Sequence, residues 1–206
     1  MTEEHDMDVF DAIATTRAMR RLDPARDVPP DALARVLAAA TKAPTAKNEQ
    51  QFRFVVVRDA EQRRRLGDIY RRVSRSLPPM QAPDPAAERL KRSVEHLAEH
   101  MHEAPVLIVV LGQGPDDMRM AASVYPAVQN LMLAARALGL GTTLTTRHRS
   151  AQEETRAVLG APADANVYAV IPLGYPLGAW REAKRRSLSE LAFLDRWGEP
   201  FTDGPR

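Results

Sequence analysis

The sequence predicts a single α+β domain. Short β-branched runs at 52–57, 106–111 and 167–173 alternate with stretches whose apolar residues recur every three or four positions, and the alternation follows no regular βαβ repeat. The 206 residues, 44% of them hydrophobic, are enough to bury one sizeable core, and neither an internal repeat nor a low-complexity tract divides the chain. Residues 1–206 therefore read as one unit.

In the first element, 7–19, Val9, Phe10, Ile13 and Ala14 sit at helical spacing, with Asp6 or Asp8 placed to cap the start. It runs into Thr16-Arg17-Ala18-Met19-Arg20-Arg21-Leu22, after which Asp23-Pro24 and Val28-Pro29-Pro30 demand a turn. A second helix, 31–42, carries Leu33, Val36, Leu37 and Ala40 on one face and stops before Pro44. A polar loop leads to the strand 52–57, and an arginine-rich helix is expected over 61–77. Pro78, Pro79, Pro83 and Pro85 make the next segment a break or lid, and a polar helix follows at 86–103. The run 106–111 is the clearest central strand. The longest helix, 116–138, has an apolar stripe through Val124, Val128, Leu131 and Ala135 wide enough to need cover on more than one side, and Pro126 should kink it or mark its true start. Gly139-Leu140-Gly141 ends it. A strand at 142–146, a short helix at 153–159 and a strand at 167–173 complete the core. The tail beyond Gly174 is basic and ends in the apolar anchors Phe193, Leu194, Trp197 and Phe201.

Composition excludes several chemistries. With no cysteine there is no disulfide, thiolate metal site, iron–sulfur cluster or cysteine nucleophile. A net charge of +2 with 27% charged residues means that an anionic partner must be met by local clusters and not by a global field. No run of roughly eighteen apolar residues is present, and the start MTEEHDMDVF is acidic where a signal peptide is basic and then apolar. The expectation is a cytoplasmic protein without membrane contact. Gly112-Gln113-Gly114 lacks a third glycine and meets Pro115, against a dinucleotide-binding turn. His96 and His100 have a spacing that could hold zinc, but without a His-Glu-x-x-His order solvated histidines are the commoner outcome. The basic face of Arg63, Arg64, Arg65, Arg71, Arg72 and Arg75 is interleaved only by Tyr70, which gives stacking on nucleic acid little support.

Three polar places remain, far apart in the chain. Arg17, Arg20 and Arg21 at a helix end suit a phosphate, whose oxygens match the guanidinium fork, although such a cluster alone is as well a solvated face. Pro44-Thr45-Ala46-Lys47-Asn48-Glu49-Gln50-Gln51 offers a hydroxyl and amides able to read a heterocycle edge, or is an ordinary polar loop. In Gly139-Leu140-Gly141-Thr142-Thr143-Leu144-Thr145-Thr146 glycines would let backbone approach a flat ligand, or simply cap the helix. Lys184, Arg185 and Arg186 form a second basic cluster.

Taken in order, these segments resemble the nitroreductase family of flavoenzymes. The likeness is carried by Thr16-Arg17-Ala18-Met19-Arg20-Arg21-Leu22, by Ala43-Pro44-Thr45-Ala46-Lys47-Asn48 through Phe54, by Val128-Gln129-Asn130-Leu131-Met132-Leu133-Ala134-Ala135 with Leu138-Gly139-Leu140-Gly141, and by Ile171-Pro172-Leu173-Gly174-Tyr175-Pro176 with Arg185-Arg186-Ser187-Leu188-Ser189-Glu190. Ala18 stands where the family motif has serine, and Gln50-Gln51-Phe52 where it has Gln-Pro-Trp.

The resemblance implies a three-layer fold with a central, mostly antiparallel sheet flanked by helices, in an intertwined homodimer whose tail, about 187–206, docks on the partner. It implies FMN as cofactor at the subunit interface and NAD(P)H as cosubstrate. Arg17 and one of Arg20 or Arg21 would hold the phosphate with Arg185 or Arg186, and Ala18 and Met19 would belong to the same cofactor-binding segment. Pro44, Thr45, Ala46 and Asn48 would reach the flavin from the partner subunit, and Leu144, Thr145 and Thr146 would line its ring. The implied activity is hydride transfer from NAD(P)H and reduction of a nitro-aromatic, quinone or similar small molecule by a ping-pong mechanism, with no protein acid or base nominated. Alternatives are a flavin-binding storage or sensor protein without turnover, and flavin fragmentation or dehalogenation on a related scaffold.

Overall fold

The six-residue run that the sequence marks as a strand is one, β1 (Phe52–Val57), and it lies at the edge of a four-stranded sheet. The computed structural model describes residues 7–201; Asp6, one of the two candidate caps, and tail residues 202–206 lie outside the described residues. The other strands are β2 (Val106–Gln113), β3 (Gly141–Thr142) and β4 (Ala165–Gly174), ordered β1-β2-β4-β3 with every neighbouring pair antiparallel. The expected α+β class and mostly antiparallel sheet are both present.

Both faces of this sheet are covered, which explains why β2 reads as a continuous apolar run and not as an alternating one. Val106, Ile108 and Val110 point into one core with Ala169, Ile171 and Leu173. That core is closed by α2 (Pro30–Ala40) and the long α5 (Met118–Ala137), which pack on each other, while α1 (Val9–Thr15) packs on α5. Leu107, Val109 and Leu111 point the opposite way into a second core. There α3 (Ala60–Ser76) packs against α4 (Pro85–His100) and α6 (Gln152–Leu159). Two helical layers around one sheet give the three-layer arrangement.

Aspartates start four helices. Asp8, Asp59, Asp84 and Asp117 accept main-chain N–H bonds from Phe10, Gln62, Ala86 with Ala87, and Met120. α5 begins at Met118, before Pro126, and continues through it. The carbonyl that loses its partner there belongs to Ala122, which is exposed and can bond water instead. The short α7 (Leu188–Leu191) was not expected, yet Ser187 and Glu190 close a capping box at its start.

Two expected elements end early for one reason. The first helix stops at Thr15, not at 19, because the following residues are extended and bond to the 141–143 segment: Met19 N–H donates to Thr142 O at 2.8 Å, and Ala18 bridges Thr142. Of the expected strand 142–146 only Thr142 is strand, paired within β3 beside Gly141; the chain then bends, and Thr145 rejoins the sheet through a single bridge to Val170. The crossing is tight. A Cβ on Gly141 would lie 2.8 Å from Met19 Cβ, 3.1 Å from Leu22 Cδ2 and 3.2 Å from Pro176 Cβ. Gly141→Val is therefore expected to destabilise the fold by about 1–3 kcal/mol through overpacking, read as a lowered urea midpoint at unchanged m-value.

Candidate functional site

The segment holding Arg17, Arg20 and Arg21 is an extended strap tied at both ends. Beyond the Met19–Thr142 bond, Thr143 Oγ1 donates to Met19 O at 2.8 Å, Asp23 N–H donates to Tyr175 O at 2.8 Å, and Leu177 N–H donates to Arg21 O at 3.0 Å. Two of the three polar places found in the sequence, 124 residues apart at Met19 and Thr143, are thereby brought together. Met19 itself is buried, so it anchors the strap and leaves Arg17 and Arg21 exposed and Arg20 half-buried.

Outside the strap is a groove of about 380 Å³ lined by Arg17 through Arg21, Ser93, Leu177, Gly178, Ala179 and Arg181. Among the described residues none of Arg17, Arg20, Arg21 and Arg181 has a carboxylate at ion-pair distance. Burial lowers the pKa of the half-buried Arg20; Tyr70 opposes the shift and neighbouring Arg17 adds to it. Arginine stays charged regardless, so several unpaired guanidinium groups converge where an anion would offset their repulsion. The arginines of α3 are in the contrary situation: Arg64 pairs with Glu61 and Asp68, Arg71 with Asp68 and Glu99, Arg72 with Glu154, and Arg75 with Glu99.

Arg185 and Arg186 are exposed and do not line this groove; among the described residues Arg185 bonds the neighbouring Lys184 carbonyl. Arg181, which the sequence reading did not single out, is the tail arginine that does. Its signal was available in the basic stretch after Gly174, but no motif distinguishes it from Lys184, Arg185 or Arg186.

The 139–146 bend uses much of its own donor capacity. The hydroxyls of Thr143 and Thr145 are buried and donate to Met19 O and Val170 O, while Leu144, 41% exposed, and Thr146 face outward. A flat ligand would therefore meet the Leu144 side chain and the Thr146 region. The next residues form a 3-10 turn, Arg147–Ala151, fastened at three points. Arg147 bonds Ser74 Oγ, Arg149 pairs with Asp116, and His148 Nε2 donates to Leu66 O at 2.9 Å. The Tyr168 hydroxyl and then Arg149 hold Asp116 below the usual carboxylate range.

The third polar place, at Thr45 to Gln50, is a 3-10 turn with Lys47, Asn48 and Gln50 at φ of 54°, 56° and 50°. Non-glycine residues rarely adopt this left-handed region, and such strain gathers at ligand-binding segments. Thr45 Oγ1 accepts from Gln50 N–H, and Ala46 N–H donates to Ser123 Oγ near the start of α5. Pro44 and Asn48 are exposed. This turn does not join the groove of its own chain. Gln51 O accepts from Gln113 N–H at the far end of β2, whereas Thr142 aligns through Leu173 with Val106 at the near end. Eight strand residues separate the two ends, or about 20 Å.

His148 is fully buried, and burial drops its pKa from 6.5 to about 4, with the Leu66 bond opposing the shift. Its Nδ1 has no hydrogen-bond partner among the described residues. A histidine whose folded pKa lies below its unfolded value contributes stability that is complete above 6.5 and lost as pH falls toward 4. Between pH 7 and pH 5 this loss amounts to about 2 kcal/mol. Urea titrations at both pH values should show it in the wild type and a flatter response in His148→Gln, whose amide can still donate to Leu66 O; parallel responses would refute the assignment.

Comparison with known proteins agrees with this geometry. The model of the nitroreductase family matches residues 13–175. A Methanothermobacter thermautotrophicus protein named for NADH dehydrogenase/NAD(P)H nitroreductase activity is 30% identical over 177 residues, covering 82% of this chain and 78% of its own. The 5,6-dimethylbenzimidazole synthase of Rhodospirillum rubrum is 32% identical over 160 residues, covering 71% and 72%. Among solved structures, the FMN-dependent nitroreductase NfnB of Mycobacterium smegmatis in complex with NADPH superposes with a TM-score of 0.70 at 21% identity, over 90% of this chain and 96% of that one.

Proposed function

The chain belongs to the nitroreductase family, and on that premise we propose that it is an FMN-dependent oxidoreductase that takes hydride from NAD(P)H and reduces a nitro-aromatic, quinone or similar small acceptor in a ping-pong cycle. The observation that carries this reading is the groove of unpaired arginines hydrogen-bonded, through the strap, to the bend at 142–146. A phosphate and a flat ring joined by a short polar chain have the right shape for that pair of features.

The residues fit the cofactor. Arg17, Arg20 and Arg21 supply guanidinium forks for the phosphate, with Arg181 as the nearest tail cation and Arg185 or Arg186 as candidates once the tail is packed. Leu144 gives the ring an apolar seat. Bound there, FMN supplies a ring that accepts hydride from the reduced nicotinamide and passes it to the acceptor. The protein's part is to bind, orient and exclude water.

Two copies complete the site in this reading. The strained turn with Thr45, Ala46 and Asn48 lies about 20 Å along the sheet from the groove, too far to touch the same flavin from one chain, so the partner subunit supplies it. Apolar side chains left exposed on one protomer agree: Phe10 of α1 is 76% exposed and Trp197 of the tail 91%. The described residues include no helix long and apolar enough to cross a membrane, and Arg64, Arg71, Arg72 and Arg75 of α3 are engaged with carboxylates, so small molecules and a second copy are the proposed partners and the cytoplasm the proposed location.

The purified protein is expected to be yellow, to release FMN on denaturation, and to bleach anaerobically with NADH or NADPH. Bound flavin that NAD(P)H leaves oxidised would favour the storage or sensor alternative. Arg17→Ala should weaken FMN binding roughly 10–100-fold, the effect of deleting one charged phosphate contact, measured by flavin fluorescence titration. Light scattering should give twice the chain mass, and a flavin-loaded monomer would overturn the shared site. The likeness to the Rhodospirillum rubrum synthase favours a second reading, in which 5,6-dimethylbenzimidazole is the product; its appearance on aerobic incubation of the reduced protein would replace the first.

A further inference from the structure

Beside the ring-facing bend lies a cavity of about 560 Å³, the size of a small-molecule site. It opens between the end of α3, the proline-rich segment and α4. It reaches the bend through Arg147, the residue after Thr146, which lines it and is held there by Ser74.

The lining divides by chemistry. Leu77 and Met80 are apolar yet 47% and 39% exposed, and with Val94 they form a wall for which the protomer offers no cover. The charged side chains are Arg75, Lys91, Arg147, Glu95 and Glu99. Arg75 pairs at 3.0 Å with Glu99, a carboxylate it shares with Arg71. Lys91, Arg147 and Glu95 have no ion-pair partner among the described residues. Lys91 and Glu95 lie one turn apart on α4, and Arg147, held by Ser74 and lying over the Tyr70 ring, adds a cation that no carboxylate offsets among the described residues, so the lining carries a net positive charge.

We infer that this cavity is the acceptor site and that it selects a small organic monoanion with an aromatic or other apolar body, its acid group held by Lys91 and Arg147 and its body against Leu77, Met80 and Val94. The inference rests on the flavin reading only for what happens to the molecule once bound; the anion preference belongs to the cavity. Lys91 attracts the acid group and Glu95, one helical turn along α4, limits the site to a single negative charge. The proline-rich segment supplies the apolar wall at little entropic cost, since its backbone is already restricted.

Calorimetry on the purified protein tests this with benzoate and the neutral benzyl alcohol, neither of which can be reduced. Benzoate is expected to bind at least tenfold more tightly than benzyl alcohol. Lys91→Met should weaken benzoate about tenfold, the usual effect of removing one partner from a charged hydrogen bond, and leave benzyl alcohol unchanged. Glu95→Gln should strengthen benzoate several-fold. Equal binding of the two ligands, or a benzoate affinity indifferent to both substitutions, overturns the inference. The visible spectrum of the same samples reports flavin separately: a colourless protein that still prefers benzoate refutes the flavin reading and sustains the anion site, whereas a yellow protein blind to charge does the reverse.

Discussion

Four hydrogen bonds along one extended strap organise the rest of the site. Residues 17–22 are a slender extended segment between a seven-residue helix and a turn, with Met19 and Leu22 as its packed side chains. They are held because Met19 N–H and O bond to Thr142 and Thr143, while Arg21 O and Asp23 N–H bond to Leu177 and Tyr175. Without those bonds the arginines would scatter on long flexible stems and lose rotamer freedom on meeting an anion. With them, the backbone from which the guanidinium groups extend is set before any ligand arrives, which is the condition for tight binding at a small site. Gly141 belongs to the same device, since a side chain there would push the strap off the sheet.

Charge pairing distinguishes this place from the remainder of a chain rich in arginine. α3 carries Arg63, Arg64, Arg65, Arg71, Arg72 and Arg75, yet the carboxylates of Glu61, Asp68, Glu99 and Glu154 absorb most of that charge at the surface, where each pair contributes little to stability. Among the described residues no carboxylate pairs with the arginines of the strap. Leaving partly buried guanidinium groups uncompensated costs stability, and proteins tolerate that cost where a ligand removes it. The same contrast recurs on a smaller scale in the neighbouring cavity, where Arg75 is paired with a carboxylate and Lys91 and Arg147 are not.

The sheet also separates what must be shared. Antiparallel pairing carries β2 from the strap end, at Val106, to the end that anchors Gln51 and the strained turn behind it. Its length sets the two halves of the proposed site apart within one molecule. Exposed apolar residues on α1 and the tail supply the surface with which a second molecule could reunite them.

Periodicity and composition alone determined the α+β class, the exact span of β1, most of the helix positions, and the absence of cysteine chemistry, because these depend on local pattern and residue type. The motif order that resembles the nitroreductase family was also legible in the chain. What only the tertiary structure decided concerns partners distant in sequence: that the residues after Thr15 leave the helix to pair with Thr142, that Thr143 and Thr145 spend their hydroxyls on carbonyls, that Arg181 lines the groove while Arg185 and Arg186 do not, and that His148 is buried beneath Leu66. A side chain's neighbours across more than a hundred residues leave no mark in local spacing. Hydrogen bonds and charge pairs formed at that range decide whether an arginine is a solvated surface group or a ligand.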